Sequence, residues 1–435
     1  MPEFIEPRTL KGFRDYGPQE QLARQWMFAK VQAVFERFGF LPMSTPALEY
    51  KEILLGKYGD EEKLVYSFKD NGDRDVALRY DLTVPFARYV AQNQGSLVFP
   101  FKRYQIAPVW RAENTQKGRL REFYQCDVDV VGTENEFLGP ADAEVIACYA
   151  IVLKELGMEN FVARINDRML YDMFAQGDER NEIPAVLRCV DKLDKIGLDG
   201  VVSLMVERNI SEGLRARITE LLSWGTGDAV LDRIAAMSDE GAARVQSWRR
   251  MLDIIVQLGV PKEKVVFDPT IARGLEYYTS TVFEFGLVGV EGYGSIAGGG
   301  RYNNLLSTFS DKTLPAVGGS LGIDRLYQYL EAEDKLPKGS GVAVVVVNLG
   351  QATWDDAVRL TGLLRQGAIN TDLYYDVVKL EKQFKYAESK GAKYAVILGD
   401  AEKEKGTVLV KDLAIRTQEE IAETDLVAYL QTKMK

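Results

Sequence analysis

Residues 101–132, FKRYQIAPVWRAENTQKGRLREFYQCDVDVVG, constrain this chain more than any other stretch. They read as two strands, Lys102–Arg111 and Arg121–Val131, joined by a charged loop. The first is rich in aromatic and β-branched residues and the second alternates cleanly. Successive strand side chains leave on opposite faces. Arg121, Phe123, Gln125, Asp127 and Asp129 therefore share one face, and Tyr124, Cys126, Val128 and Val130 share the other. The second reads as a core face. The first sets a cation, an aromatic ring, an amide and two carboxylates in one row, which suits a small polar ligand. Arg111 and Arg121 offer forked donors to a phosphate or carboxylate. Phe123 offers a base a stacking surface, and Gln125 and Asp129 could fix the ends of an amino acid. A solvated outer face of mixed charge would produce the same pattern.

Composition narrows the function classes. The 435 residues are 46% hydrophobic and 27% charged, which is ordinary globular usage and enough for two or three domains. A net charge of −10 argues against indiscriminate polyanion binding but allows a local basic groove. No apolar run reaches membrane-spanning length, residues 1–11 lack a signal-peptide core, and no membrane partner is expected. Cys126, Cys148 and Cys189 form neither a disulfide framework nor a zinc-ligand spacing, so a reducing cytoplasm is the simplest reading. The chain has no histidine. That removes the commonest general base and metal ligand, and no metal-ligating residue is singled out.

Helical spacing of Leu22, Trp26, Ala29 and Ala33 predicts a helix from about Pro18 to Phe38, stopped by Gly39. The proline-bearing stretch Phe40–Leu48 follows as an extended edge. Val76–Pro85 reads as a strand feeding a helix, with Asp81 or Thr83 available as an N-cap. From about Asn166 to Gly259 the texture is helix-prone and charged. Strand character returns at Val265–Asp268 and Thr281–Phe285. Gly298–Tyr302, with three successive glycines, reads as a loop where backbone can approach a ligand. Ala316–Leu326 reads as a strand entering a helix, with Arg325 near the helix start, where backbone N–H groups favour phosphate. Beyond Pro337 and Gly339, Val342–Val347 is a buried strand, and alternating strands near Thr371–Tyr375 and Tyr394–Leu398 imply a small α/β domain. Lys379, Lys382 and Lys385 could follow nucleic-acid phosphates or form a plain exposed helix face.

Trp110-Arg111-Ala112-Glu113, the loop Gln116-Lys117-Gly118-Arg119 and Arg121-Glu122-Phe123 resemble motif 2 of the class II aminoacyl-tRNA synthetases. The helix and edge at residues 18–48 resemble motif 1, and Ala316–Leu326 resembles motif 3. Tyr124-Gln125-Cys126-Asp127 and Arg273-Gly274-Leu275-Glu276-Tyr277-Tyr278 are similar to the histidyl-tRNA synthetases, with Glu276 where that family usually has Asp.

The resemblance implies an α+β fold, with an antiparallel sheet flanked by helices. It implies a catalytic domain over residues 1–330 with a helical insertion at about 168–255. A linker at 331–340 and a C-terminal α/β anticodon-binding domain at 341–435 follow. It implies a homodimer that activates L-histidine with ATP and Mg²⁺ to histidyl-adenylate, then transfers it to the 3′ end of tRNA(His). By motif, Arg111, Arg273 and Arg325 are catalytic. Arg111, Glu113, Arg121, Phe123 and Arg325 hold ATP. Asp81, Leu82, Thr83, Gln125, Asp129, Tyr277 and Tyr278, with Arg111 and Arg273, hold histidine, and Gln116 meets the tRNA. A carboxylate accepting from an imidazole N–H discriminates sharply, so no editing domain is expected and the insertion is assigned to tRNA. The alternative is a non-catalytic histidine-sensing paralogue such as the ATP phosphoribosyltransferase regulatory subunit. It would lack the C-terminal domain and have no need of the ATP-facing arginines.

Overall fold

A computed structural model describes residues 5–56, 59–114, 120–132, 139–272, 277–290, 292–310, 313–337 and 341–434. The expected positions Gln116 and Arg273, and with them Gly274, Leu275 and Glu276, lie outside the described residues. The chain divides into two units, Met1–Asp15 with Met27–Leu336, and Tyr16–Trp26 with Pro337–Lys435.

The first unit carries strands β1 (Leu41–Pro42), β2 (Leu48–Tyr50), β3 (Ser67–Lys69), β4 (Asp75–Leu78), β5 (Phe101–Trp110), β6 (Glu122–Val131), β7 (Phe161–Asp167), β8 (Val265–Phe267), β9 (Thr281–Leu287), β10 (Ala297–Arg301) and β11 (Ala316–Gly322). Eight of them form one sheet in the order β1-β5-β6-β11-β10-β9-β7-β8, and β2-β4-β3 form a smaller one. The large sheet is antiparallel from β5 to β7, with parallel pairs only at its two edges. β5 and β6 are the expected hairpin, in register from Phe101 opposite Val131 to Trp110 opposite Glu122.

The two faces of β6 diverge as the alternation requires. On the apolar side, the helix Pro140–Glu155 lays Tyr149 against the sheet, where its hydroxyl accepts from Val128 N–H and donates to the Gly319 carbonyl. Phe28 of the helix Pro18–Arg37 meets Tyr124, their ring centroids 5.2 Å apart. The other face, with Gln125, Asp127 and Asp129, is buried too. Packed near it, Tyr277, Tyr278 and Tyr302 join a core with Ala77, Tyr80 and Val84. It is therefore not the solvated face that the residue types alone allowed.

The expected loop Gly298–Tyr302 is a correction: Gly298 to Arg301 belong to strand β10. Glycine is required there by crowding. A methyl group at Gly299 would overlap the Gly318 carbonyl and Gly319 Cα of β11, and one at Gly300 would overlap the Thr281 carbonyl of β9. Between β7 and β8 the chain forms three 3₁₀ turns and the helices Ile183–Val190, Leu193–Glu207, Glu212–Ser223, Asp228–Met237 and Asp239–Gln257. Their apolar sides carry Leu214, Ile218, Leu231, Trp248 and Met251, all buried.

The second unit holds strands β12 (Val344–Val346), β13 (Thr371–Leu373), β14 (Tyr394–Ile397), β15 (Thr407–Asp412) and β16 (Gln418–Ala422), ordered β13-β12-β14-β15-β16. β12 is parallel to both neighbours, and β15 and β16 add an antiparallel hairpin that the sequence reading did not list. Val344 and Val346 enter one core and Val345 and Val347 another. Both faces of the central strand are thus covered, which explains its unbroken apolar run. The fully buried Gln383 is satisfied by the backbone, donating to the Asn348 carbonyl at 2.7 Å and accepting from Asn348 N–H at 2.8 Å. Lys379, Lys382 and Lys385 are exposed, and Lys385 pairs with Glu381 one turn away at 3.1 Å.

Candidate active site

A cavity of about 200 Å³ opens on the polar face of the large sheet. Asp81, Thr83, Arg111, Gln125, Tyr277 and Tyr278 line it, each singled out in the sequence. The rest of the wall is Phe283 and Glu284 from β9, Gly298 and Gly299 from β10, Tyr302, and Gly318, Gly319 and Ser320 from β11. Residues from Asp81 to Ser320 thus meet around one slot.

Each wall has a local cause. Asp81 Oδ1 accepts from Val84 N–H at 2.9 Å, tying the start of the helix Thr83–Asn93 to the slot. Its other oxygen accepts from the Tyr277 hydroxyl at 3.4 Å. One residue therefore both anchors the helix start and forms the pocket wall. Arg111 donates from Nε to the Tyr80 carbonyl at 3.0 Å, and its guanidinium lies 4.3 Å from the Tyr80 ring centroid and 5.2 Å from that of Phe123. This fixes a planar cation at the rim. Tyr277 and Tyr278 pack edge to face with centroids 5.0 Å apart.

Behind the slot lies a buried charge cluster. Arg103 and Asp129 pair at 2.6 Å with both side chains out of solvent. Asp129 also accepts from the Tyr302 hydroxyl at 2.5 Å, and Arg103 donates to the Leu82 carbonyl at 3.2 Å and lies over the Phe86 ring. Burial raises the pKa of Asp129 while Arg103 and Tyr302 oppose the shift. Burial also pushes Asp127 up to about 8, against the pull of Arg103, with Asp129 adding to the rise. The hydroxyls of Tyr278 and Tyr302 are raised by burial and by these neighbouring carboxylates.

Other expected residues fall outside the described cavity wall. Leu82 turns its side chain into a cluster with Ala107, Val109 and Phe123. Asp129 is held by Arg103 and Tyr302 one layer down rather than presented directly to the slot. Arg121 donates from Nε to the Glu113 carbonyl at 3.0 Å, and Arg325 donates to the Ser295 carbonyl. Phe123 stands beside Arg111 and packs against Leu82, Ala107 and Val109. Of the four arginines expected to converge, Arg111 alone is placed on this wall by the described residues. Glu284 was not anticipated. Its signal was a lone charge within the apolar run Thr281–Phe285.

A two-carboxylate rim, a fixed guanidinium and a tyrosine-walled pocket on an antiparallel sheet define a site for a zwitterionic ligand. Solved structures share this fold across the whole chain. A histidyl-tRNA synthetase from Nostoc sp. PCC 7120 aligns with a TM-score of 0.84 at 32% identity, covering 99% of this chain and 100% of that one. The apo enzyme of S. aureus aligns at 0.73 and 25% identity over 98% and 100%. The anticodon-binding-domain family matches residues 343–433. The chain is thus an enzyme of the aminoacyl-tRNA ligase class. The histidyl-tRNA synthetase family matches residues 12–326. A curated histidine–tRNA ligase of Rhodopirellula baltica is 41% identical over 96% of both chains, and one of Flavobacterium johnsoniae is 36% identical over 95% and 96%. The chain belongs to the histidyl-tRNA synthetase family.

Proposed function

We infer that the chain activates L-histidine with ATP and transfers the histidyl group to the 3′ end of tRNA(His). The observation that carries this reading is the slot itself, where Arg111, Asp81, Gln125 and the Tyr277–Tyr278 pair converge on a volume of amino-acid size. The first step needs no general base, which suits a chain without histidine. The attacking group is the substrate's own carboxylate, already ionised at neutral pH. What the protein must supply is alignment and stabilisation of charge at the α-phosphorus.

Arg111 is assigned to the substrate carboxylate and α-phosphate, with Arg273 opposite it and Arg325 and Arg121 on the outer phosphates. Glu113 reads the adenine and Phe123 stacks on it. Asp81, Thr83 and Gln125 take the α-ammonium group. Tyr277 and Tyr278, backed by Asp129, take the imidazole. Gln116 and the helices between β7 and β8 are assigned to tRNA. Asp81 and Glu284 are the carboxylates on the wall, and among the described residues no three Cys, Asp or Glu side chains come together to hold an ion. That donor set makes no protein-held metal cage. Mg²⁺ is therefore assigned to the polyphosphate of ATP, and no step above is routed through it.

A homodimer is supported by apolar exposure after the first helix, where Leu41 is 66%, Leu48 44% and Tyr50 54% exposed. A cytoplasmic setting fits three buried free thiols, and no helix among the described residues is long and apolar enough to cross a membrane. The test is pyrophosphate exchange with each amino acid in turn. Exchange with histidine alone is the expected result. Histidine binding without exchange would favour the sensing paralogue, against which the anticodon-binding match over residues 343–433 already weighs.

A further inference from the structure

Asp127 has no role in that scheme. It sits on β6 between Gln125 and Asp129, on the slot face, and its register partner on β11 is Ser320. It is buried, and among the described residues its Oδ1 has no hydrogen-bond partner. The Ser320 hydroxyl of that register partner favours the ionised form of Asp127. Ser320 Oγ in turn accepts from Gln125 Nε2 at 2.8 Å, and both of those side chains line the slot. An ionised carboxylate only accepts, a hydroxyl has one hydrogen to give, and an amide has one end of each kind. With Asp127 ionised, these rules leave one arrangement. The Ser320 hydrogen is committed to Asp127, so its oxygen takes a hydrogen from Gln125. The amide nitrogen turns to Ser320, and Gln125 Oε1, buried and without a partner among the described residues, is the atom left for a ligand.

We propose that Asp127 is a positioning residue that, through Ser320, turns the carbonyl oxygen of Gln125 toward the α-ammonium group of the amino-acid substrate. This rests on the reading of the slot as a histidine site and adds the group that sets its polarity. Protonating Asp127 reverses the relay. The acid then donates to Ser320 Oγ, the hydroxyl donates to Gln125 Oε1, and the amide meets the cation with its N–H groups. Arg103 on β5 and Arg79 beyond β4 favour the ionised form, while Asp129 and Asp81 oppose it; Tyr149 and Tyr278 face it as neutral hydroxyls, their pKa values raised by burial and by these carboxylates. Burial outweighs them all and holds the proton on Asp127 up to about pH 8. A bound ammonium group stabilises the ionised form, so affinity for an amine-bearing ligand rises with pH through that range.

Two inhibitors of histidine-dependent pyrophosphate exchange separate this role from general damage. L-Histidinol keeps the amine, and 3-(imidazol-4-yl)propionate lacks it. In the full-length chain, Asp127→Asn and Ser320→Ala are expected to weaken histidinol by about tenfold to a hundredfold, the worth of one hydrogen bond to a charged group. Both should leave imidazolepropionate within about twofold, since it makes no such bond. In wild type the preference for histidinol should grow between about pH 6.5 and 8.5, and in Asp127→Asn it should stay flat. Equal weakening of both inhibitors, or unchanged histidinol in both variants, overturns the proposal. Should Asp127→Asn fail to fold, Ser320→Ala decides it. Wild-type protein that shows no histidine-dependent exchange at all would instead overturn the histidine reading itself, and the relay with it.

Discussion

At the scale of single residues the site is governed by buried charge. Arg103 is the cation that faces Asp129 at 2.6 Å in a place closed to solvent. Arg103→Met would leave that carboxylate uncompensated, and such truncations cost about 3–5 kcal/mol. Urea unfolding of the two proteins measures it, and a loss under about 1 kcal/mol would show that the pair is not dry. Asp127 gives the opposite sign. Its folded-state pKa lies above that of an unfolded aspartate, so the folded chain binds the extra proton, and stability falls as pH rises from the ordinary carboxylate range toward about 8. Asp127→Asn removes that dependence. Thermal midpoints should therefore favour the variant progressively more at about pH 8 than at about pH 5. A parallel pH profile for the two proteins would contradict the burial argument.

At the scale of elements, what was legible in the sequence follows from what side chains can signal. The β5–β6 hairpin was readable because Arg121 to Val131 alternates, and the two β6 faces separate as that alternation demands. The α+β class followed from the resemblance of the motifs, and the second α/β unit was readable from its alternating strands and helices. β10 was not, because Gly298–Gly300 has no side chains with which to show a period of two. Its glycines answer to neighbours on β9 and β11 that are distant in sequence. The cover over Asp127 and Asp129 was likewise invisible, since alternation says which residues share a face but not what packs on it. The hairpin β15–β16 escaped for a related reason: Gln418–Ala422 is polar and largely exposed, so it lacks the apolar alternation that marks a strand. Gly318→Ala tests the crowding directly. Its methyl group would overlap Asp129 Oδ1 and crowd the Val128 carbonyl. Overpacking of this kind costs about 1–3 kcal/mol or more, and here it should also abolish histidine-dependent exchange. Chemical denaturation and the exchange assay read the two effects separately.

At the scale of the whole molecule, all the residues lining the slot belong to the first unit. A chain ending at Leu336 is therefore expected to keep histidine-dependent pyrophosphate exchange and to lose charging of tRNA. Loss of both would mean that adenylate formation depends on the second unit. The absence of histidine from the chain supplies a clean probe for such work, since every imidazole resonance in a sample belongs to the ligand. The sheet order has a further consequence. β11 lies between β6 and β10, yet it is the last strand of that sheet to leave the ribosome. Until Ala316–Gly322 emerges, a nascent chain carries two half-sheets whose raw edges face a gap, and such edges invite pairing with other chains. Translation products that stop short of Ala316 should pellet where the finished protein does not. One late strand, mostly glycine and small side chains, zips the halves together.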